Sequence, residues 1–540
     1  MELMTTTSTA KRHPRRPHVA LRNAKTAAKR EQRQVAERVL SEGLAQQSDA
    51  ATAMAITDGH LTEAEVLAWR QDLNARIDVL LQHPEQNLGF IEEAMASAGK
   101  ELMRQGTERA CQAKANATPS CCPEHPDVEL TQKKLLRRTV QARFGTMILF
   151  RTYGWCSKCE QWQFPADHAL GLERNAPASP YLQEISALLT SKMPPEQAVL
   201  VAQRLGLDLA RCFLHREAHR QGLKAQCARA RWLAQLDSWD GIQSLAAHGE
   251  GPPTQPFSLI IEIDAWNIRE RDEWGRTEEL RQQGKKPPSR WHWVYVGTVF
   301  RLDHRVEGNG KRAVISERGY AATREGVDAL IRQLHREAVQ RGLGRAEQVL
   351  VIADGAAWIW NAVEDRFKDA HQRLDLWHAD EHLWEVANDL YGKGTPEARN
   401  WVAPLLKQIR DDQTLHVIQS LGELKPQLTE VLQEKVQKQI DYFDNHRNRM
   451  NYKEIIEARK ARDKGDVTPE QLLKAQTPLG SGAIESTCRQ YQSRFKRTGQ
   501  FWSTAGDEAL MCLETFWRND RWDHLYPHAK PSPTPSLALN

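Results

Sequence analysis

No stretch of the chain reaches the roughly 18 consecutive apolar residues that a membrane-spanning helix needs. The opening, MELMTTTSTAKRHPRRPH, has cations but no apolar block after them, which argues against a secretory signal. Cysteine is scarce: nine in 540 residues are too few for a disulfide-built scaffold. One-signed charge is lacking too, because 74 Lys and Arg stand against 70 Asp and Glu, a net +4, so the whole molecule is no polycation. No internal repeat is visible. These absences lead us to expect a reduced, cytoplasmic protein of three or four modules.

Local concentrations carry more information. Residues 11–38 hold ten Lys or Arg and two Glu, so 1–38 reads as a disordered basic arm able to lie along a polyanion. Helical periodicity marks 39–117, as in HLTEAEVLAWRQDLNARIDVLL. Cysteine, proline and strand-like runs mark 118–172. Helical spacing returns over 178–247, where PPEQAVLVAQRLGL and DLARCFLHREAHRQG meet at Gly206. That fits a helix-turn-helix presenting Arg211, His215 and Arg216 to DNA; a plain helical bundle has the same pattern. HGEGPPTQP, His248 to Pro256, is the clearest linker.

Four of the nine cysteines fall close together, in CCPEH and WCSKC. Cys122-x-x-His125 and Cys156-x-x-Cys159 are two ligand knuckles separated by strand-like sequence, the spacing of a zinc ribbon holding structural Zn²⁺. Cys121 offers a second register, and unrelated buried thiols are the bland alternative.

After the linker, FSLIIEIDAWN, WHWVYVGTVFRLD, KRAVISERGY, EQVLVIADG and HQRLDLWH read as five strands. Helices are expected after the third and fourth. This order, with Asp264 ending the first strand and Asp354 the fourth, is the ribonuclease H arrangement over 257–378. Acids at strand ends face the sheet edge where open α/β sheets bind ligands. A third carboxylate is expected on a later helix, and Glu485 in LGSGAIESTCR is the candidate. Its neighbours Gly480, Ser481, Gly482 and Ala483 are small enough to let a helix start against the sheet. Three converging carboxylates repel unless a cation joins them. Two Mg²⁺ or Mn²⁺ ions roughly 3.5–4 Å apart would satisfy them and support in-line displacement at a phosphodiester.

The strings IDAWN, IADGAAWIWN, LDLWHADEHL and LGSGAIESTCRQYQSRFKRTGQFWS resemble the DDE transposases of bacterial insertion sequences, the Kra-type group, with kinship to Mutator-like and hAT transposases. The similarity runs from about Cys122 to Trp522. It implies DDE roles for Asp264, Asp354 and Glu485, and an all-helical insertion, here 379–476, with the final core helices at 477–525. The pair Asp375 and His378 matches the [C/D]-x-x-H signature, and the resemblance implies that His378 helps position the scissile phosphate. A His bonded to Asp380 or Glu381 is the structural alternative. The related transposases carry C-P-x-C where this chain has Cys122 and His125.

Arg489, Arg494, Lys496, Arg497 and Trp502 follow Glu485 and are read as a DNA-contacting surface, with Phe495 in the core. The tryptophans of AAWIWN and LDLWH are read as core. Lys285 and Lys286 lie in a polar, mobile connector. The proline-rich tail, 526–540, reads as disordered. The expected fold is thus a multidomain α/β protein: helical, zinc-ribbon and helix-turn-helix modules before a ribonuclease H-like core with a helical insertion. The expected activity is cleavage and strand transfer on double-stranded DNA, at transposon terminal inverted repeats and a target. The expected protein is a nucleoid-associated homodimer or larger assembly. A structure-specific nuclease and a domesticated, non-catalytic DNA-binding protein are the rival readings.

Overall fold

The computed structural model describes residues 50–83, 85, 87–249, 256–271, 276–286, 288–307, 313–465 and 467–527. The basic arm, the centre of the linker (250–255) and the tail from 528 lie outside them. The protein is mixed α/β and divides into two compact units at Leu182/Gln183. Among the described residues, no helix is long and apolar enough to cross a membrane.

In the first unit, Thr62 and Glu65 form a reciprocal capping box that starts helix Glu63–Gln82. Asn87 caps the longer helix Leu88–Ala117. Three antiparallel strands follow: β1 (Thr131–Ala142), β2 (Gly145–Cys156) and β3 (Gln161–Gln163). Gln112 ties the long helix to β2, because its amide donates to the Phe150 carbonyl at 2.7 Å and accepts from the Phe150 N–H at 2.8 Å. Asp167 is buried between Arg138 and Arg151, at 2.7 and 2.6 Å.

The second unit is built on a five-stranded mixed sheet. Its strands are β4 (Ser258–Glu270), β5 (Arg290–Arg301), β8 (Gly319–Thr323), β9 (Gln348–Ala353) and β10 (His371–Leu374), in spatial order β10-β9-β4-β5-β8. β5 runs antiparallel to both of its neighbours, β4 and β8, while β9 is parallel to β4 and β10 parallel to β9. The stretch KRAVISERGY does not form one strand. Ala313–Ile315 (β7) pairs with Arg305–Glu307 (β6) in a separate hairpin, and β8 begins only at Gly319.

Alternation along β4 sorts its side chains into two cores. Leu259, Ile261 and Ile263 join the helices Val327–Gln340, Ala357–Arg366 and Leu376–Tyr391 on one face. Trp266 and Ile268 join Ile484, Cys488, Leu510 and Leu513 on the other. Helices read as a separate module over 178–247 share this second core through Ala187, Ala218 and Ala225. Helix Pro195–Arg204 does turn into helix Arg211–Leu233 through Gly206, whose φ of +72° suits a residue without Cβ. The region 379–476 is helical, from Leu376–Tyr391 through Pro469–Gln476.

Glu337 fixes the segment after helix Thr504–Arg518 to this frame. Its carboxylate accepts from Arg521 at 2.5 and 2.9 Å and from Arg341 at 2.7 Å. Burial opposes its charge, but Arg521, Arg341 and Arg336 hold it down at about 2. The folded chain therefore binds this proton more weakly than the unfolded chain. The stabilisation is complete above the ordinary glutamate pKa and is lost as pH falls through about 2. Glu337→Gln leaves buried guanidinium groups uncompensated. We expect it to cost about 3–5 kcal/mol at neutral pH in urea unfolding, and much less at pH 2.

Candidate functional site

The cysteine window folds into one cluster. Backbone turns from Cys122 to Val128 present the first knuckle, with Cys122 N–H on the Val128 carbonyl at 2.9 Å. Cys122 Sγ lies 3.8 Å from His125 Nδ1 and 3.4 Å from Cys159 Sγ, and His125 Nδ1 lies 3.1 Å from Cys159 Sγ. Cys156 completes a set whose ligand atoms all lie within 4.8 Å of one another. A tetrahedral zinc with ordinary Zn–S and Zn–N bonds has edges of about 3.5–3.8 Å, so four N/S donors at these separations fit it. Cys121 instead forms an isolated bridge to Glu129, which resolves the register in favour of Cys122. Burial works against charge on Cys156, but the Cys159 amide, the Cys122 thiol and the Lys158 amide pull it down to about 6. Burial and the Cys122 and Cys156 thiols push Cys159 up to about 12. Thiols this close cannot all ionise unless a cation joins them.

The second candidate site lies at the sheet edge of the other unit. Strands β4 and β9 are parallel with Glu262 opposite Ile352. Two residues further on, Asp264 and Asp354 hold equivalent places and share a face. Asp264 does not end its strand, because β5 keeps pairing with β4 as far as Glu270↔Arg290. It stands where β9 leaves the sheet. Burial lifts the Asp264 carboxyl above its usual range and the Asp354 charge adds to the rise. The Ala265 N–H (2.6 Å), the Cys488 thiol and the His378 charge oppose it. Asp354 accepts from Ala356 N–H at 3.0 Å, and its carbonyl accepts from the Tyr442 hydroxyl at 3.0 Å.

LGSG holds helix Gly482–Phe495 against this edge. Asp375 Oδ2 accepts from both the Ser481 N–H and hydroxyl at 2.5 Å. Glu262, wholly buried, accepts from the Ile484 N–H at 2.7 Å, and burial pushes its carboxyl up to about 8. A Cβ on Gly480 would meet Trp377 Cδ1 at 2.7 Å and Asp375 Oδ1 at 3.1 Å, so only glycine permits this approach. Cys488, one turn after Glu485, is the side chain that reaches Asp264. The Glu485 carboxylate itself pairs with Arg489 at 3.1 Å. Among the described residues, Asp264, Asp354 and Glu485 do not converge as the Cys122 cluster does.

Asp375 also caps helix Leu376–Tyr391 through the Trp377 and His378 N–H groups at 2.6 and 3.2 Å. His378 Nδ1 lies 3.7 Å from Asp375, too long for a hydrogen bond, so the pair acts through charge. Asp375, then Asp354 and Glu381, hold the imidazole up at about 9 against burial, so it is cationic at neutral pH. Asp380 pairs with Arg410 instead of His378.

No protein-family model and no curated protein matches this chain.

Two expected DNA contacts, Arg494 and Trp502, are structural. Arg494 is 5% exposed, and its guanidinium donates to the carbonyls of Thr190 (2.7 Å), Ser191 (3.1 Å) and Met193 (3.3 Å). It therefore closes the end of helix Pro180–Lys192 and is unavailable to phosphate. Arg494→Ala should cost about 1.5–3 kcal/mol in chemical unfolding, whatever it does to DNA binding. Trp502 is also buried; it bridges Glu270, and its indole donates to the Phe495 carbonyl at 2.8 Å. Phe495 is core, as expected. Lys496 and Arg497 are exposed, and Arg489 is exposed but paired with Glu485. Arg211 and Arg216 lie exposed in the first two turns of their helix, with Arg211 3.4 Å from Glu196. Of the tryptophans read as core, Trp360 is buried, but Trp377 is 57% exposed beside His378.

Glu262, Cys488 and Ser481 were missed as supports. An acid inside LIIEID two residues before Asp264 was a usable signal, since a buried carboxylate demands a donor.

Proposed function

We propose that this protein is a DDE-type transposase with a ribonuclease H-like core. Its sheet strands follow one another as strand, strand, strand, helix, strand, helix, strand, with Asp264 within the first and Asp354 directly after the fourth. The observation that supports the reading is the pair Asp264 and Asp354, each two residues beyond the Glu262–Ile352 pairing, with helix Gly482–Phe495 held against them through Ile484 and Cys488. A set of hard oxygen donors suits Mg²⁺ or Mn²⁺. The raised carboxyl of Asp264 beside Asp354 marks a place where a cation relieves repulsion. Glu485 joins such a set only by leaving Arg489.

Asp264 and Asp354 would hold divalent ions there, and such ions would supply Lewis acidity to a phosphodiester. The residues do the rest. Asp264 and Asp354 fix the site at the sheet edge, and the Cys488 thiol orients the Asp264 carboxylate. The His378 cation, held by Asp375, donates to a non-bridging phosphate oxygen. Water attacks phosphorus and gives up a proton to solvent, the P–O3′ bond breaks, and the leaving 3′-oxygen takes a proton from solvent to become the 3′-hydroxyl. That hydroxyl then attacks a target phosphodiester and displaces its 3′-oxygen. The Gly206 helix pair and the zinc unit bind the terminal repeats, and two ends require at least a dimer.

The test uses linear duplexes ending in the inverted repeats that flank this protein's own gene, with Mg²⁺ or Mn²⁺. Transposase activity yields a 3′-hydroxyl at the repeat end and joined products with target DNA. Cleavage without joining would make it a nuclease. No cleavage at repeats would overturn the reading.

A further inference from the structure

β9 leaves β4 after Glu262 and β8 leaves β5 at Tyr295, opposite Ala265, so from there β4 and β5 continue as a ribbon that Trp502 bridges at Glu270. One face of this ribbon, with Trp266 and Ile268, is buried. The other face carries Trp291 and Trp293, exposed by 59% and 51%. Their cross-strand partners are Arg269 and Asn267. Trp291, Arg269, Phe501 and Arg271 alternate aromatic and cationic groups. Arg269 Cζ lies 5.2 Å from the Trp291 ring and 4.8 Å from Phe501, and Arg271 lies 3.9 Å from Phe501. Exposed Lys285 and Lys286 precede β5. Asp264 belongs to the opposite face, so none of these groups serves the acid pair.

We propose that this ribbon face binds an unpaired DNA strand by stacking bases on Trp291 and Trp293. Two residues of a strand advance about 6.8 Å, room for one base between two rings at ordinary stacking distance. Arg269 lies within reach of the strand's phosphates, as single-strand binding platforms require. A second copy of this chain is the less suitable occupant, because covering Arg269 needs a matching acid and the paired face positions, Asn267 and Ala265, offer none. The choice of DNA rests on the transposase reading, whose cutting chemistry releases unpaired ends. The binding itself does not depend on the acids.

The experiment measures fluorescence anisotropy of labelled single-stranded and duplex oligonucleotides with the full chain at low ionic strength. Trp291→Ala combined with Trp293→Ala should weaken single-strand binding about tenfold or more and change duplex binding less than about threefold. Trp291→Phe with Trp293→Phe should recover most of the loss, which a folding defect would not. Unchanged single-strand affinity, or equal loss on both DNAs, would overturn the proposal. So would unchanged single-strand affinity with lost self-association, which would make the face a contact between copies. The transposase reading fails separately, through absent cleavage at repeats while single-strand binding persists.

Discussion

If the proposed activity is right, replacing Asp354 or Asp264 with Asn should abolish strand cleavage, by about 10³-fold or more, without weakening the fold. The size follows from the several kcal/mol of transition-state stabilisation that a metal site supplies, at about 1.4 kcal/mol per tenfold. The unchanged stability follows from the electrostatics. Burial and Asp354 hold the Asp264 carboxyl above its ordinary range. The folded chain then binds that proton more tightly than the unfolded chain. The group favours folding below the unfolded aspartate pKa, about 3.9, and the advantage is lost as pH rises past the folded value. At neutral pH an amide at either position removes a repulsion, so melting should be unchanged or slightly higher. Mn²⁺ should raise the melting temperature of the wild type in a concentration-dependent way, as any ligand of the folded state does. It should not do so for Asp264→Asn. Cleavage that survives either substitution would refute the assignment.

The second large effect concerns zinc. Cys156→Ser, or chelation of the intact chain, should strip one zinc per chain and unravel the β1–β2–β3 sheet around Cys122, Leu130 and Cys156. Structural zinc is worth about 10–16 kcal/mol in zinc-finger peptides, far more than the small hydrophobic cluster there supplies. Cys121→Ser should leave the zinc content unchanged, because Cys121 lies outside the cluster. Elemental analysis and protease protection check both. A purified chain without zinc, or a Cys156→Ser variant with wild-type protection, would contradict the assignment.

The two sites differ in how far they can be read from sequence, and the reason is locality. Each zinc knuckle closes within three residues, so its spacing is written in the chain. Asp264 and Asp354 are legible because an acid after an apolar run signals a sheet edge, although the length of β4 is not. Arg494 and Trp502 were misassigned because residue type does not reveal which face of the helix or segment is covered. The Ser191 carbonyl that Arg494 serves lies 303 residues away. The role of Ser481 is likewise invisible until Asp375, 106 residues earlier, comes beside it. Trp377 erred in the opposite direction: an indole in an apolar string reads as core, yet the helix start turns it outward.

The most direct test is a crystal grown with Mn²⁺ and a repeat-ended duplex, with anomalous scattering used to place the metal. The account predicts manganese between Asp264 and Asp354, with Glu485 turned from Arg489 towards it. Manganese bound elsewhere, with Glu485 still on Arg489 and the two aspartates unligated, would contradict it.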